Sequence, residues 1–252
     1  MKKTLLSYIF CFISIISVLA QTPNDEGTIR YLVAHSWVKK MSSLTYLSQQ
    51  RKDKIAYTNN SDEWKHYKQL HFNSSKSKYE NSEEKAERED GNTYAWRTGT
   101  YFLTRNVAEN KLFDAYEQLG KKYLIEDTLI QQRWKILNDI KEVAGHICMK
   151  AYLDEPIRKH KIVAWFAMDM PIPLGPEGFG GLPGMILELD YNDGAMVVKA
   201  DKITLKKLTT ELDLPAKLKG KKVNQTHINN EVLQHIKEKI KAEDPWFWGI
   251  DY

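Results

Sequence analysis

The sequence predicts an α+β domain that is mainly β: a curved antiparallel sheet, open like a half-barrel, with a C-terminal helix. Three observations carry this. Apolar and polar residues alternate with period two through most of the chain, the signature of half-buried strands. The alternating segments are short and are joined by Gly, Asn and Asp connections, too short for the crossovers that parallel strands need. Residues 230–241 show helical spacing instead, with Val232, Leu233, Ile236 and Ile240 on one face.

Taken in order, residues 28–33 open the sheet and 67–72 form a second strand. From residue 100 strands follow closely, over 100–105, 111–119, 122–125, 133–137, 146–152 and 161–168. Each is rich in aromatic and β-branched residues, which suit a pleated, half-buried surface. Residues 185–191 and 195–203 flank Asn192-Asp193-Gly194. Asp-Gly supplies the positive φ angles of a tight hairpin turn. Residues 73–92 are rich in Ser, Lys and Glu and predict an exposed, mobile excursion. The helix is expected to start at an Asn229 or Asn230 cap. The chain ends in Pro245-Trp246-Phe247-Trp248-Gly249-Ile250-Asp251-Tyr252, whose rings pack onto helix or sheet or form an exposed docking element.

Residues 1–20 read as a signal peptide. Lys2 and Lys3 precede a serine-interrupted apolar run, and Val18-Leu19-Ala20 sets small residues for cleavage before Gln21. The run is too short for a membrane span, so the expected product is residues 21–252, a single domain, periplasmic, secreted or outer-membrane-associated, and not an integral membrane protein. Of 37 basic and 33 acidic residues, Lys2 and Lys3 leave with the signal, and the net charge falls from +4 to +2. Lys and Glu are interspersed without a basic stripe, which excludes a nucleic-acid binder. Of the two cysteines only Cys148 stays, so no internal disulfide staples the fold and a hydrophobic core must hold it.

The most informative segment runs over 133–190. It holds Trp134-Lys135-Ile136, Cys148-Met149-Lys150-Ala151, Ala164-Trp165-Phe166, Ile172-Pro173-Leu174-Gly175-Pro176 and Gly181-Leu182-Pro183-Gly184-Met185-Ile186. These motifs, in this order, closely resemble the GLPGLI (Porph_ging-type) family of exported Bacteroidetes proteins, with Met185 in place of the usual Leu. The resemblance implies a β-rich exported protein; the function expected is that of a non-enzymatic accessory protein that binds a ligand or protein partner, and the resemblance suggests an outer-membrane TonB-dependent transporter as that partner. It brings no catalytic residues with it.

Read for its own chemistry, the Pro- and Gly-rich loop from Pro171 to Gly184 is shaped rather than merely flexible. It serves either as a structural crossover or as a ligand- or partner-binding rim formed by Pro173, Gly175, Pro176, Phe179, Gly180, Gly181, Leu182, Pro183 and Gly184. It lacks the spacing of either phosphate-binding glycine motif, so no nucleotide is expected. His146 and Cys148 share a strand face, and Met168 and Met170 share the face of a neighbouring segment. Imidazole, thiolate and thioether suit copper(I), which makes a copper-handling protein the alternative function; otherwise no cofactor is expected. A third reading is a lipid or hydrophobic-ligand carrier lined by Trp134, Trp165, Phe166 and Phe179. Hydrolysis would cast Cys148 with His146 or His160 and Asp169, Glu188 or Asp190, but neither a nucleophile elbow nor a zinc-protease motif accompanies them.

Overall fold

The computed structural model describes residues 25–58, 63–88, 91–93 and 101–252. The signal-peptide segment lies outside these residues, as do Glu89, Asp90 and Thr100. Among the described residues twelve strands form one open sheet: β1 (Gly27–Ser36), β2 (Glu63–Phe72), β3 (Lys76–Asn81), β4 (Phe102–Asn106), β5 (Lys111–Gln118), β6 (Lys121–Thr128), β7 (Lys135–Val143), β8 (His146–Asp154), β9 (Lys161–Ala167), β10 (Met185–Tyr191), β11 (Met196–Leu205) and β12 (Lys221–Val223). Their order is β12-β6-β5-β4-β3-β2-β1-β11-β10-β9-β8-β7. All pairs are antiparallel except β12 on β6. The mainly β, antiparallel class read from the sequence therefore holds.

The sheet is open and curves around the face that carries its main core. On the opposite face, beside Trp165, Lys141 on β7 reaches Glu188 on β10 at 2.6 Å. Cross-strand neighbours place Ile29, Tyr31, Leu70, Tyr79, Leu103 and Ile125 on the concave face, where all are buried. The Tyr31 hydroxyl donates to the Ile186 carbonyl at 2.7 Å and ties β1 to β10 across that face. A smaller cluster of Phe102, Ala115 and Leu124 sits on the other side.

Among the described residues three α-helices accompany the sheet. Helix α1 (Trp37–Ser43) follows β1 directly, with Ser36 as its cap accepting from the Lys39 amide at 3.3 Å. It leads to α2 (Gln49–Thr58), and Met41, Leu44 and Leu47 bury the connection. Helix α3 (Gln225–Lys241) buries Ile228 and Val232. It begins five residues before the expected start, because Asn224, not Asn229 or Asn230, is the cap and accepts from the His227 amide at 3.0 Å. Among the described residues no helix is long and apolar enough to cross a membrane.

One expectation needs correction. Residues 76–81 are not an excursion: they form β3, hydrogen-bonded to β2 and β4 near the middle of the sheet. Polar composition hid the strand, yet Ser77 and Tyr79 are buried on one face and Lys78 is covered through its ion pair with Glu80 at 3.0 Å. The Asn192-Asp193-Gly194 turn has the expected positive φ angles of 50°, 55° and 89°. The aromatic tail packs inward: Trp246, Phe247, Ile250 and Tyr252 are buried, and Trp248 alone of the four rings stays 47% exposed.

Candidate functional site

The loop between β9 and β10 fixes the concave face. Glu177, at φ 52°, sits in a short 3₁₀ turn (Pro176–Gly178) and points its carboxylate into the sheet. Lys68 donates to it at 2.8 Å, Tyr79 at 3.0 Å and Tyr101 at 2.9 Å. Nearby, Arg105 donates to the Gly178 carbonyl at 3.1 Å and to Asp114 at 2.6 Å. The Gly180 peptide is held from both sides, by the Trp134 indole at 2.9 Å and by Gln132 at 2.9 Å. Gly175 packs on Ile186 and Gly184 on the Ala167 backbone, while Leu182 is buried. Gly181 and Pro183 stay exposed, and Pro173 accepts from the Gly181 amide at 3.0 Å. Of the residues proposed for a binding rim, Phe179 lines a cavity.

Gly184 has a further constraint. A Cβ there would lie 2.0 Å from the Ala167 carbonyl oxygen, inside the β9–β10 pair. Backbone cannot yield as a flexible side chain does. Gly184→Ala is therefore expected to destabilise the fold by about 2–3 kcal/mol, measured as a shift in the urea midpoint.

Two connected cavities open on the concave face and share Tyr101, Asp251 and Tyr252. The polar one, of about 160 Å³, lies between β4–β5, the β8–β9 hairpin and α3. Arg105, Asp114, Gln118, Arg158, His160 and Glu177 line it. Burial raises the Asp114 carboxyl despite Arg105, and burial pushes His160 down to about 3, so its ring is neutral at pH 7.

The aromatic cleft is larger, about 500 Å³. Trp37, at the start of α1, stacks on Trp64 with ring centroids 6.4 Å apart and meets Trp248 in a tilted pair at 5.1 Å. The pairing of His35 with Trp64 across β1 and β2 sets the first contact, and the tail brings in the third indole. Lys40 forms the polar floor, with Lys68 and Glu117 at the sides. Sequence reasoning noticed the tail aromatics but not Trp37, Lys40 or Trp64. No local spacing marks them: residues about thirty and two hundred positions apart meet only through strand register and the final turn.

The other sequence candidates do not gather. Cys148 is buried, and burial pushes its thiol up to about 11, so the thiolate that copper prefers is disfavoured. His146 Nδ1 instead lies 2.8 Å from Asp169. Met168 is exposed while Met170 is buried, so the two do not present one face. Among the described residues no group of three or more His, Cys, Asp and Glu is arranged to hold a metal. Trp165 and Phe166 point to opposite faces: Phe166 is in the core, whereas Trp165 lies under the Lys141 and Lys150 ammonium groups at 4.3 and 5.7 Å. Glu188, one of the carboxylates considered for hydrolysis, is buried with the Lys141 ammonium at 2.6 Å.

No curated protein matches the sequence. Two structures of PNGF-II, in space groups P21 and C2, share the fold with TM-scores of 0.54 and 0.53 at 13% and 14% identity. The match covers 83% of this chain and 33% of those chains, so this protein spans about a third of their length. At that identity the likeness is one of fold alone. The segment from residue 154 to 188, which carries the loop and its two flanking strands, matches the family model described as a protein of unknown function (Porph_ging), and there the family resemblance read from the sequence is borne out.

Proposed function

We propose that the protein is an exported, non-enzymatic binding protein whose concave face takes a small apolar, planar ligand. The observation that carries this is the aromatic cleft: three indoles in mutual contact around a volume of about 500 Å³, one of them still open to solvent. Ligand sites are typically concave, mostly apolar and equipped with a few placed polar groups, a description the cleft fits. Rings spent only on core packing would close on one another, since filled interiors leave few voids larger than a water. The reading joins two of the sequence expectations, an accessory binding protein and a hydrophobic-ligand carrier, and moves the ligand from the β7–β9 region to the cleft.

Export through the signal segment and partnership with an outer-membrane TonB-dependent transporter belong to this proposal on the strength of the family resemblance. Native mass spectrometry of protein purified gently from its own cells tests the binding reading. A retained mass of small-molecule size is expected, with Trp37→Ala weakening retention about tenfold or more. A bare chain in every fraction, with no small molecule stabilising it, would overturn the reading. Co-purification with a membrane barrel tests the partner separately.

A further inference from the structure

Lys40 is the least expected residue in the cleft. It is 2% exposed, yet its Nζ faces rings rather than acids. The centroids of Tyr252, Trp37 and Phe247 lie 4.2, 4.9 and 5.5 Å away, and His35 Nδ1 lies 2.7 Å away. Among the described residues no carboxylate comes within ion-pairing distance. Asp251, on the C-terminal tail, is the carboxylate that faces it, but its side chain is exposed and acts on Lys40 only at longer range. His66 on β2 and His160 on the β8–β9 hairpin also face it, both held neutral by burial. Lys68, the second lysine of the cleft, is already paired with Glu177.

A buried ammonium without a counter-charge is costly, and ring faces with a neutral imidazole offset only part of that cost. The uncompensated charge sits at the floor of an apolar cleft large enough for a ligand. Trp37 and Lys40 are three positions apart on α1, so ring and ammonium present one helix face to the same space. We propose that the ligand is an apolar, planar carboxylic acid, its carboxylate paired with Lys40 and its ring system among Trp37, Trp64 and Trp248. A single ammonium matches a singly charged head group. This inference rests on the cleft being the binding site.

Without ligand, burial pushes Lys40 down to about 7. A bound carboxylate restores the ammonium, so binding takes up a proton wherever the free site has lost one. The probes are 2-naphthoate, which stays ionised above pH 6, and its neutral counterpart 2-naphthamide, titrated calorimetrically at pH 6 and 8.5 in buffers of different ionisation enthalpy. The naphthoate affinity is expected to fall about 30-fold over that range, with close to one proton taken up at pH 8.5. The amide should show neither effect. Lys40→Met should bind the amide and lose its preference for the acid. An amide that binds as tightly as the acid, with no proton uptake, would overturn the assignment of Lys40 and leave the aromatic cleft standing. Failure of both probes to bind would overturn both.

Discussion

Lowering the pH from 7 to 5 is expected to remove much of the protein's stability, through histidines rather than carboxylates. His35, His66 and His160 are buried, and burial holds each ring neutral: His66 falls to about 2, His160 to about 3, and His35 well below its usual value. Their positive neighbours, Lys40 for all three and Lys68 for His35 and His66, push the same way. For a base whose folded pKa is depressed, the unfolded chain binds the extra proton. Stability is full above about pH 6.5 and is lost progressively as pH falls toward the folded values. At pH 5 the loss is about 2 kcal/mol per histidine, hence about 4 kcal/mol from His66 and His160 alone. That is comparable with the whole stability of many domains. Urea denaturation between pH 7 and 5 should show a slope approaching three protons. His160→Phe, which keeps a ring against Tyr252 where the His160 ring centroid lies 4.4 Å away, should reduce the slope by one. A flat profile would contradict the buried neutral histidines.

Glu177→Ala is expected to cost about 3–5 kcal/mol, measured by chemical denaturation. The substitution removes the carboxylate that three donors share and leaves the Lys68 ammonium buried with no acid beside it. The hydroxyls of Tyr79 and Tyr101 lose their acceptor at the same time. Glu177→Gln keeps an acceptor and the volume, so its cost should be smaller. The double replacement Lys68→Met with Glu177→Leu should recover most of the loss, because removing both charges removes the desolvation cost as well. If Glu177→Ala unfolds at the wild-type midpoint, the loop is not clasped to the sheet by this carboxylate.

The parts of the fold legible in the sequence are those where apolar strand residues sit between turn signals. Residues 161–167 alternate in burial along β9, the strands read over 146–152 and 185–191 lie in β8 and β10, the latter buried almost throughout, and Asp193-Gly194 turns where its backbone preferences require. β3 was hidden because the aliphatic parts of lysine side chains and ion pairs cover its polar residues, a form of burial that hydropathy does not register. Helices α1 and α2 were hidden because tertiary packing of Met41, Leu44 and Leu47, rather than a long amphipathic repeat, stabilises them. The polar role of the Pro- and Gly-rich loop was carried by Glu177, a residue that composition gives no reason to single out. The cleft itself depends on the β1–β2 register and on where the tail lands, and neither is written in local spacing.

If the cleft binds a ligand, the Trp37, Trp64 and Trp248 rings respond to it as one site. Indole N–H resonances of the labelled protein, followed while 2-naphthoate is added, test it most directly. Those three signals are expected to shift together along one saturating curve, while those of Trp134, bonded to Gly180, and Trp165, on the opposite face, stay in place. Shifts confined to Trp134 and Trp165, or no saturating shift at all, would contradict it.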